Sequence, residues 1–199
     1  MLSDKKRARK GGSLVSRAFD KLDDDTTDAE RMAADFLTTR GFIHVQAAKT
    51  FVTGSITGLV GFILLPLDLY YLIKSMAYTC WGVGAIMDCQ LDGKLDFALI
   101  LALWTGEMEP HEVRHKYSEQ ATDYRSNSGA TKKVTTKGTI KISAKLATKI
   151  FLKLLGKSTA GAVPVGGVVS GGVNVWIIES LGKDAETYYT EKQKLFQID

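Results

Sequence analysis

The chain has 199 residues, of which 45% are hydrophobic and 24% charged, and its formal net charge is +4. This length supports one domain with a sizeable core, or one domain plus a flexible end, and both fractions are ordinary for a globular protein. The two cysteines, Cys80 and Cys89, lie in or beside apolar sequence. They exclude a disulfide scaffold and favour free thiols in a reducing compartment.

The first residues, 1–12, read MLSDKKRARKGG and predict a disordered basic arm. The arm lacks the apolar region of a signal peptide, so we expect the protein on the cytoplasmic side. Residues 13–42 predict an N-terminal helical segment. In it, Thr27 and Glu30 have capping-box spacing, which predicts a helix through about Thr39 that stops at Gly41. For residues 43–199 we predict one helical domain.

Two uncharged, glycine-rich runs are the most distinctive feature of that domain. They span residues 50–67 and 158–178, and their glycines include Gly54, Gly58, Gly61, Gly166, Gly167, Gly171 and Gly172. Glycines four residues apart share one helix face, where another helix backbone can approach closely. Each glycine costs about 1 kcal/mol in a water-exposed helix relative to alanine, so we expect packing or lipid to support these helices.

Both runs approach the ~20 residues that cross a bilayer core, but each is interrupted. Pro66 and Asp68 interrupt the first run, while Pro164 and Asn174 interrupt the second. An aspartate at the bilayer centre costs at least about 2.5 kcal/mol, so we predict a buried polar pair between Asp68 and Asn174. The predicted fold class is all-α: a helical bundle whose two Gly-rich apolar helices form a membrane-embedded or membrane-apposed hairpin. The alternative is that both runs are buried helices of a soluble bundle.

The same runs resemble two signatures of the EcsC family over about residues 45–190. Residues 53–61 and the following Leu65-Pro66-Leu67-Asp68 resemble the first signature, a Gly-rich apolar stretch that ends in an aspartate. Residues 163–167 and 171–174 are similar to the late proline–glycine–glycine–asparagine signature. Trp81-Gly82 departs from the family, which has a tyrosine–glycine pair there. The resemblance implies an α-helical, membrane-associated protein near transport or secretion functions, and it implies no known reaction.

Lysines recur at every fourth position of a later segment, beside a parallel apolar column. The lysines are Lys137, Lys141, Lys145, Lys149, Lys153 and Lys157, and the apolar column contains Ile142, Leu146, Ile150 and Leu154. This pattern predicts a basic amphipathic helix over about residues 138–155, suited to lying on an anionic leaflet. The alternative is an ordinary solvated helix face. Nucleic-acid binding is disfavoured because no basic groove with interleaved aromatic residues is evident.

The segment His111-Glu112-Val113-Arg114-His115 matches the H-E-x-x-H zinc motif. Arg114 places a positive charge between the histidines, and no later histidine or nearby acid supplies a third ligand. The sequence therefore favours an exposed helix, with a zinc peptidase as a remote alternative. We predict no catalytic residues, no metal and no cofactor.

These features predict a non-enzymatic, membrane-associated accessory or regulatory protein of a bacterial transport, secretion or envelope-stress system. We expect it at the cytoplasmic face of the inner membrane, peripheral or integral, with an anionic lipid leaflet as its partner. A membrane-protein partner and oligomer formation stay open, and nucleic acid is not expected. The alternative function is a membrane-perturbing toxin or defence effector that inserts the Gly-rich segments.

Overall fold

The computed structural model describes residues 2–60, 65–128, 140–158 and 166–196, with side chains for residues 8–50, 69–122, 140–154 and 174–196. These residues form helices and contain no strand, which confirms the all-α prediction. The helices are α1 (Leu2–Asp20), α2 (Thr27–Ala33), α3 (Thr39–Val60), α4 (Leu65–Ile86), α5 (Lys94–Trp104), α6 (Val113–Ser128), α7 (Ala144–Ser158) and α8 (Gly166–Gln193). A 3₁₀ turn, Pro110–Glu112, precedes α6.

Helices α3 and α8 form the central, antiparallel pair. Thr39 Oγ1 donates to the Glu186 carboxylate, and further along α3 the Asn174 amide donates to the Thr50 carbonyl at 3.4 Å. Between these contacts the Ile43 side chain lies over Gly182. As the residue number rises along α3, the residue number of its partner on α8 falls by nearly the same amount, so the two helices run antiparallel in one constant register. The absence of a side chain at Gly182 lets the two helices approach closely.

The core between α1, α4, α5 and α8 is rich in aromatic side chains. The Phe19 ring of α1 stacks on Phe97 of α5, with centroids 5.7 Å apart. The buried indole of Trp81 donates to the Gly93 carbonyl at 2.8 Å, and Trp104 donates to Ser180 Oγ at 2.9 Å. Both indoles therefore bury their apolar area without leaving an unpaired N–H.

The N-terminal residues form a helix where a disordered arm was predicted. α1 begins at Leu2, and its two glycines, Gly11 and Gly12, are buried. A Cβ at Gly11 would overlap the Phe151 ring, and one at Gly12 would overlap Thr148, both on α7. The prediction of a disordered arm over residues 1–12 is therefore wrong for the described residues. The glycine pair, which disfavours an isolated helix, permits close contact with α7.

The boundary between α2 and α3 also differs from the prediction. α2 ends at Ala33, well before Thr39, and the Glu30 carboxylate accepts the hydroxyl of Thr26, one residue before the predicted cap. Gly41 lies inside the first turn of α3, where its N–H donates to Thr38 Oγ1 at 3.2 Å. Gly41 therefore takes part in starting a helix, and its prediction as a helix stop is wrong.

The connectivity gives the bundle two chemically different ends. Residues 50–60, 65–67 and 166–178 carry no charge, and we call the end that they form the uncharged end. The opposite end, which we call the polar end, holds residues 87–96 and 188–196. α8 links the two through 28 residues, which is about 42 Å at ~1.5 Å per residue. Among the described residues, none of the helices combines the length and apolarity that a membrane crossing needs.

Candidate functional site

A buried ion cluster occupies the polar end, where α8 meets the start of α5. Lys192 is 1% exposed, and its Nζ lies 2.7 Å from Asp96 Oδ1 and 3.0 Å from Asp92 Oδ2. The same ammonium donates to the Gln90 carbonyl at 2.7 Å, so each of its three protons has an acceptor. A buried charge costs several kcal/mol unless it is paired in this way.

Tyrosine hydroxyls complete the cluster. Tyr188 donates to Asp96 Oδ1 at 2.7 Å, and Tyr117 donates to Asp92 Oδ2 at 2.6 Å. The Asp92 N–H donates to Asp96 Oδ2 at 2.7 Å. The Lys192 ammonium also lies 4.4 Å from the centroid of the Tyr117 ring, which attracts a cation. The cluster thereby ties α5, α6 and α8 together through side chains far apart in sequence.

The protonation of these groups follows from their burial. Burial raises the pKa of Asp96, and the Lys192 charge and the hydrogen bonds to the carboxylate oppose that rise. Burial, reinforced by the Asp96 charge, raises the pKa of Tyr188 and of Tyr189 well above the usual value. Both tyrosines therefore remain neutral at physiological pH, and Tyr188 stays a donor. Within the described part of the chain, the Tyr189 hydroxyl has no hydrogen-bond partner.

A cavity of about 250 Å³ adjoins the cluster. It is lined by Asp88, Cys89, Gln90, Lys192, Gln193 and Phe196. Burial raises the pKa of the Cys89 thiol, and it raises the pKa of Cys80 still more clearly. Both residues are free thiols, as predicted, and neither resembles an activated nucleophile, which needs a lowered pKa.

The predicted helix-packing glycines fall on the two central helices. Gly54 and Gly58 lie in α3, and α8 contains Gly166, Gly167, Gly171 and Gly172. Gly61 and the Asp68 side chain lie outside the described residues. Asn174 donates to Thr50 O of α3, which is the kind of cross-helix bond expected of it, with a backbone carbonyl as acceptor. Its pairing with Asp68 stays a prediction.

The lysine column is partly neutralised by the protein itself. Lys145 Nζ lies 2.9 Å from Glu107 Oε2, and Lys149 pairs with the same carboxylate. The hydrogen bonds from Lys149 and Lys145 lower the pKa of Glu107. Lys153 donates to the Trp104 carbonyl and lies 4.2 Å from the centroid of that ring. The predicted membrane-facing role of the column therefore competes with contacts inside the molecule.

The remaining members of the column are less constrained. Lys141 is exposed and lies before the helix, because α7 begins at Ala144 and not near Gly138 as predicted. Lys137 and the Lys157 side chain lie outside the described residues. The apolar column is buried through Ile142, Leu146 and Ile150, so α7 is amphipathic as expected, with its apolar face turned to the protein.

The H-E-x-x-H segment starts a helix. His111 and Glu112 lie in the 3₁₀ turn, and α6 begins at Val113. The Glu112 carboxylate accepts the Glu109 N–H at 2.7 Å, as in a capping box. His111 and His115 are both exposed. The described residues contain no group of three side chains placed to hold a metal ion.

Sequence reasoning missed the ion cluster, although one signal for it was present. Asp96 interrupts the apolar stretch of α5 between Leu95 and Phe97. A carboxylate in such a stretch is seldom fully buried unless it is paired, so its position pointed to a cation elsewhere in the chain.

Comparison of the chain with models of protein families, with curated proteins and with solved structures finds no match. The resemblance to the EcsC family therefore stays a prediction.

Proposed function

We propose that the protein is a non-enzymatic, membrane-associated accessory or regulatory protein that inserts its uncharged end into one leaflet, at the cytoplasmic face of a bacterial inner membrane. The observation that carries this proposal is the separation of the two ends along α4 and α8. The uncharged end favours hydrocarbon, whereas the polar end, with its buried charges and cavity, belongs in water. The proposed role beside a transport, secretion or envelope-stress system follows the EcsC resemblance.

The helix lengths support a shallow insertion. Residues 50–60 of α3 extend over about 16 Å, which is close to half of a hydrocarbon core ~30 Å thick. The antiparallel register of α3 and α8 pairs this segment with the start of α8. A hairpin of this depth would enter one leaflet without crossing the bilayer, which agrees with the lack of a membrane-spanning helix among the described residues.

Aromatic and apolar side chains mark the border of the uncharged end. Tyr71, near the start of α4, is 51% exposed, and Leu152, near the end of α7, is 49% exposed. Trp176 is half-buried, with its ring centroid 6.5 Å from that of Trp104. Tyrosine and tryptophan favour the membrane–water interface because their rings are amphipathic. These positions support a boundary between lipid and water at this level of the bundle.

The test is co-flotation of the purified full chain with lipid vesicles, followed by quenching of tryptophan fluorescence with brominated lipids. Trp81 and Trp104 are buried, so lipid quenching should come mainly from Trp176. We expect the chain to float with anionic vesicles and Trp176→Phe to remove most of the quenching. Trp176→Phe should leave flotation itself unchanged. A chain that stays at the bottom of the gradient with neutral and anionic vesicles alike would overturn the proposal.

The alternative, a membrane-perturbing effector, inserts the same segments and predicts a different outcome. The same vesicles, loaded with a self-quenching dye, distinguish the two functions. An accessory protein should bind without releasing dye, because a shallow hairpin leaves the opposite leaflet intact. Dye release that depends on protein concentration, together with depolarisation of cells that express the chain, would instead identify an effector.

A further inference from the structure

The cavity at the polar end lies where two helices finish. α4 ends at Ile86 and α8 ends at Gln193, and the cavity of about 250 Å³ is lined by residues that immediately follow or close these helices. A helix C-terminus carries a partial negative charge of about half an elementary charge. Two such termini beside one cavity favour the binding of a cation.

Hydrogen bonds within the protein already use the strongest donors of the cavity wall. Lys192 donates its three ammonium protons to the Gln90 carbonyl, Asp92 and Asp96. The Gln193 amide nitrogen donates to the Met87 carbonyl at 2.7 Å, which leaves its oxygen as an acceptor. In the described part of the chain, the exposed Asp88 carboxylate forms neither a hydrogen bond nor an ion pair. Lys192 also lines the cavity, but Asp92 and Asp96 balance its positive charge inside the protein. The wall therefore offers a ligand the Asp88 carboxylate and the Gln193 amide oxygen as acceptors.

The backbone at Asp88 has a left-handed conformation, which aspartate adopts more readily than most non-glycine residues. Its φ of 55° lies in the left-handed region, and the next N–H, of Cys89, closes α4 by donating to Gly84 O at 2.9 Å. Glycine is the usual residue at such a helix end, and a negative charge there opposes the helix dipole. Asp88 thus places an exposed carboxylate at the cavity, at a helix end where a negative charge opposes the helix dipole. Conflicts of this kind between sequence and local structure concentrate at functional sites.

An aromatic ring lies at the edge of the same cavity. Phe196 is 56% exposed, and its ring centroid is 6.4 Å from that of Tyr117. On the neighbouring turn, Glu191 pairs with Arg114 at 3.5 Å and also with Lys194, so these two cations already have a counter-ion. Lys192 shows that an ammonium is stable at this end of the bundle when oxygen acceptors and a tyrosine ring surround it.

We propose that this cavity binds a small organic amine through its primary ammonium group, with Asp88 as counter-ion and the Phe196 ring as an apolar and cation–π contact. The volume is below the ~300–1,000 Å³ of sites for drug-sized ligands, which fits a short-chain amine. Phe196 shields the alkyl chain, while oxygen atoms of the wall accept the ammonium protons. This site is independent of the proposed membrane insertion, which uses the opposite end of the molecule.

The test is calorimetric titration of the purified full chain with 1,4-diaminobutane, and with 1,4-butanediol as a neutral molecule of the same chain length. We expect the diamine to bind, the diol not to bind, and binding to weaken as salt increases. Asp88→Asn should weaken diamine binding at least tenfold and still fold, because asparagine tolerates the left-handed conformation. Asp28→Asn is the matched control, since Asp28 is an exposed acid on α2 paired with Arg31, and it should not change binding.

A second pair of variants separates binding from folding. Asp88→Gly should raise the melting temperature, because glycine relieves the backbone conformation, and should abolish diamine binding. Phe196→Leu keeps an apolar side chain and should weaken binding severalfold through loss of the ring. The proposal fails if the diamine does not bind at millimolar concentration, if the diol binds equally well, or if Asp88→Asn and Asp28→Asn have equal affinities.

Discussion

At the scale of single residues, Lys192 donates three long-range hydrogen bonds at the polar end. Its ammonium joins Asp92 and Asp96, about a hundred positions earlier in the chain, to the last turns of α8. Two carboxylates share this one charge, so the cluster depends on it more than on either acid. Burial of such a cluster does not by itself make the fold more stable, but removal of one partner leaves uncompensated charge.

Lys192→Met should lower the free energy of unfolding by about 3–5 kcal/mol, because it leaves two buried carboxylates without their cation. Urea denaturation measures the loss. Lys183→Met on the same helix is the matched control, since Lys183 is exposed, and it should change stability by less than about 0.5 kcal/mol. Adding Asp96→Asn to Lys192→Met should recover part of the loss. Equal effects of the two lysine substitutions would contradict the role assigned to the cluster.

Asp96 and Glu107 should give stability opposite dependences on pH. Burial raises the pKa of Asp96 above its ordinary value of 3.8, so the folded state holds this proton more tightly than the unfolded state. Its contribution is therefore full below pH 3.8 and decreases as pH rises through the folded pKa. The pKa of Glu107 is lowered from 4.5, so its contribution is present above that pH and is lost as pH falls through the folded pKa.

Urea denaturation over a series of pH values, with single variants, separates these two carboxylates. Glu107→Gln should flatten the loss of stability on the acid side, because the variant no longer has a carboxylate to protonate there. Asp96→Asn should remove the decrease that accompanies rising pH. If Glu107→Gln retained the full acid-side slope, the pairing of Glu107 with Lys145 and Lys149 would carry no linked stability.

At the scale of elements, glycines decide which helices lie close together. Gly12 on α1 faces Thr148 of α7, Gly82 on α4 faces Phe42 of α3, and Gly182 on α8 faces Ile43. In each pair a side chain of one helix occupies the space that the glycine leaves. The cost of glycine in a helix is about 1 kcal/mol relative to alanine, and the packing that it permits offsets this cost.

Gly12→Ala should destabilise the protein by about 1–3 kcal/mol, although alanine is the better helix former, because overpacking outweighs propensity. A Cβ there would lie 3.0 Å from the Thr148 backbone, which cannot move aside by changing a rotamer. The measurement is the free energy of unfolding, with hydrogen exchange of the α1 amides as a local probe. Ser13→Ala, at the next and exposed position, is the control. A stabilising Gly12→Ala would show that α1 does not pack as described.

At the scale of the whole molecule, the two ends have separate chemistry and are joined by helices α4 and α8. α8 carries uncharged residues at its start and Lys192 near its end, so one helix bears part of both ends. The register set by Thr39–Glu186, Ile43–Gly182 and Thr50–Asn174 extends towards the glycines of both helices. Continued without change, it brings Gly58 close to Gly166 and Gly167.

Gly58→Leu and Gly167→Leu should each disrupt the α3–α8 contact and lower the melting temperature. If the register continues to place both glycines in one contact, the double variant should lose less than the two single losses combined. Thermal denaturation of the unmodified chain, the two single variants and the double variant measures the coupling between the two glycines. Flotation of the same proteins with anionic vesicles shows whether lipid binding changes with it. Unchanged melting and unchanged flotation in both single variants would contradict the close-contact arrangement of the glycines.

Features that depend on neighbours a few positions apart could be read from the amino-acid sequence. Helical periodicity, the lack of charge in residues 50–67 and 158–178, and the amphipathic character of α7 were all readable because they are local patterns. These patterns were enough to predict that helices form. They did not give the end of α2 at Ala33 or the starts of α3 at Thr39 and of α7 at Ala144, because caps and partner helices set those boundaries. The glycine spacing was readable for the same reason, although its meaning depends on what lies opposite.

Which charges meet follows from the packing of the helices and could not be read from the sequence. Nothing local to Lys192 shows that its ammonium is buried against Asp96, because the two residues are 96 positions apart. The order of α1 likewise depends on α7, and the neutralisation of Lys145 and Lys149 depends on Glu107 of a distant segment. The physical reason is common to all three. Close packing, desolvation and Coulomb attraction all depend on distances in space, whereas a sequence pattern records distances along the chain.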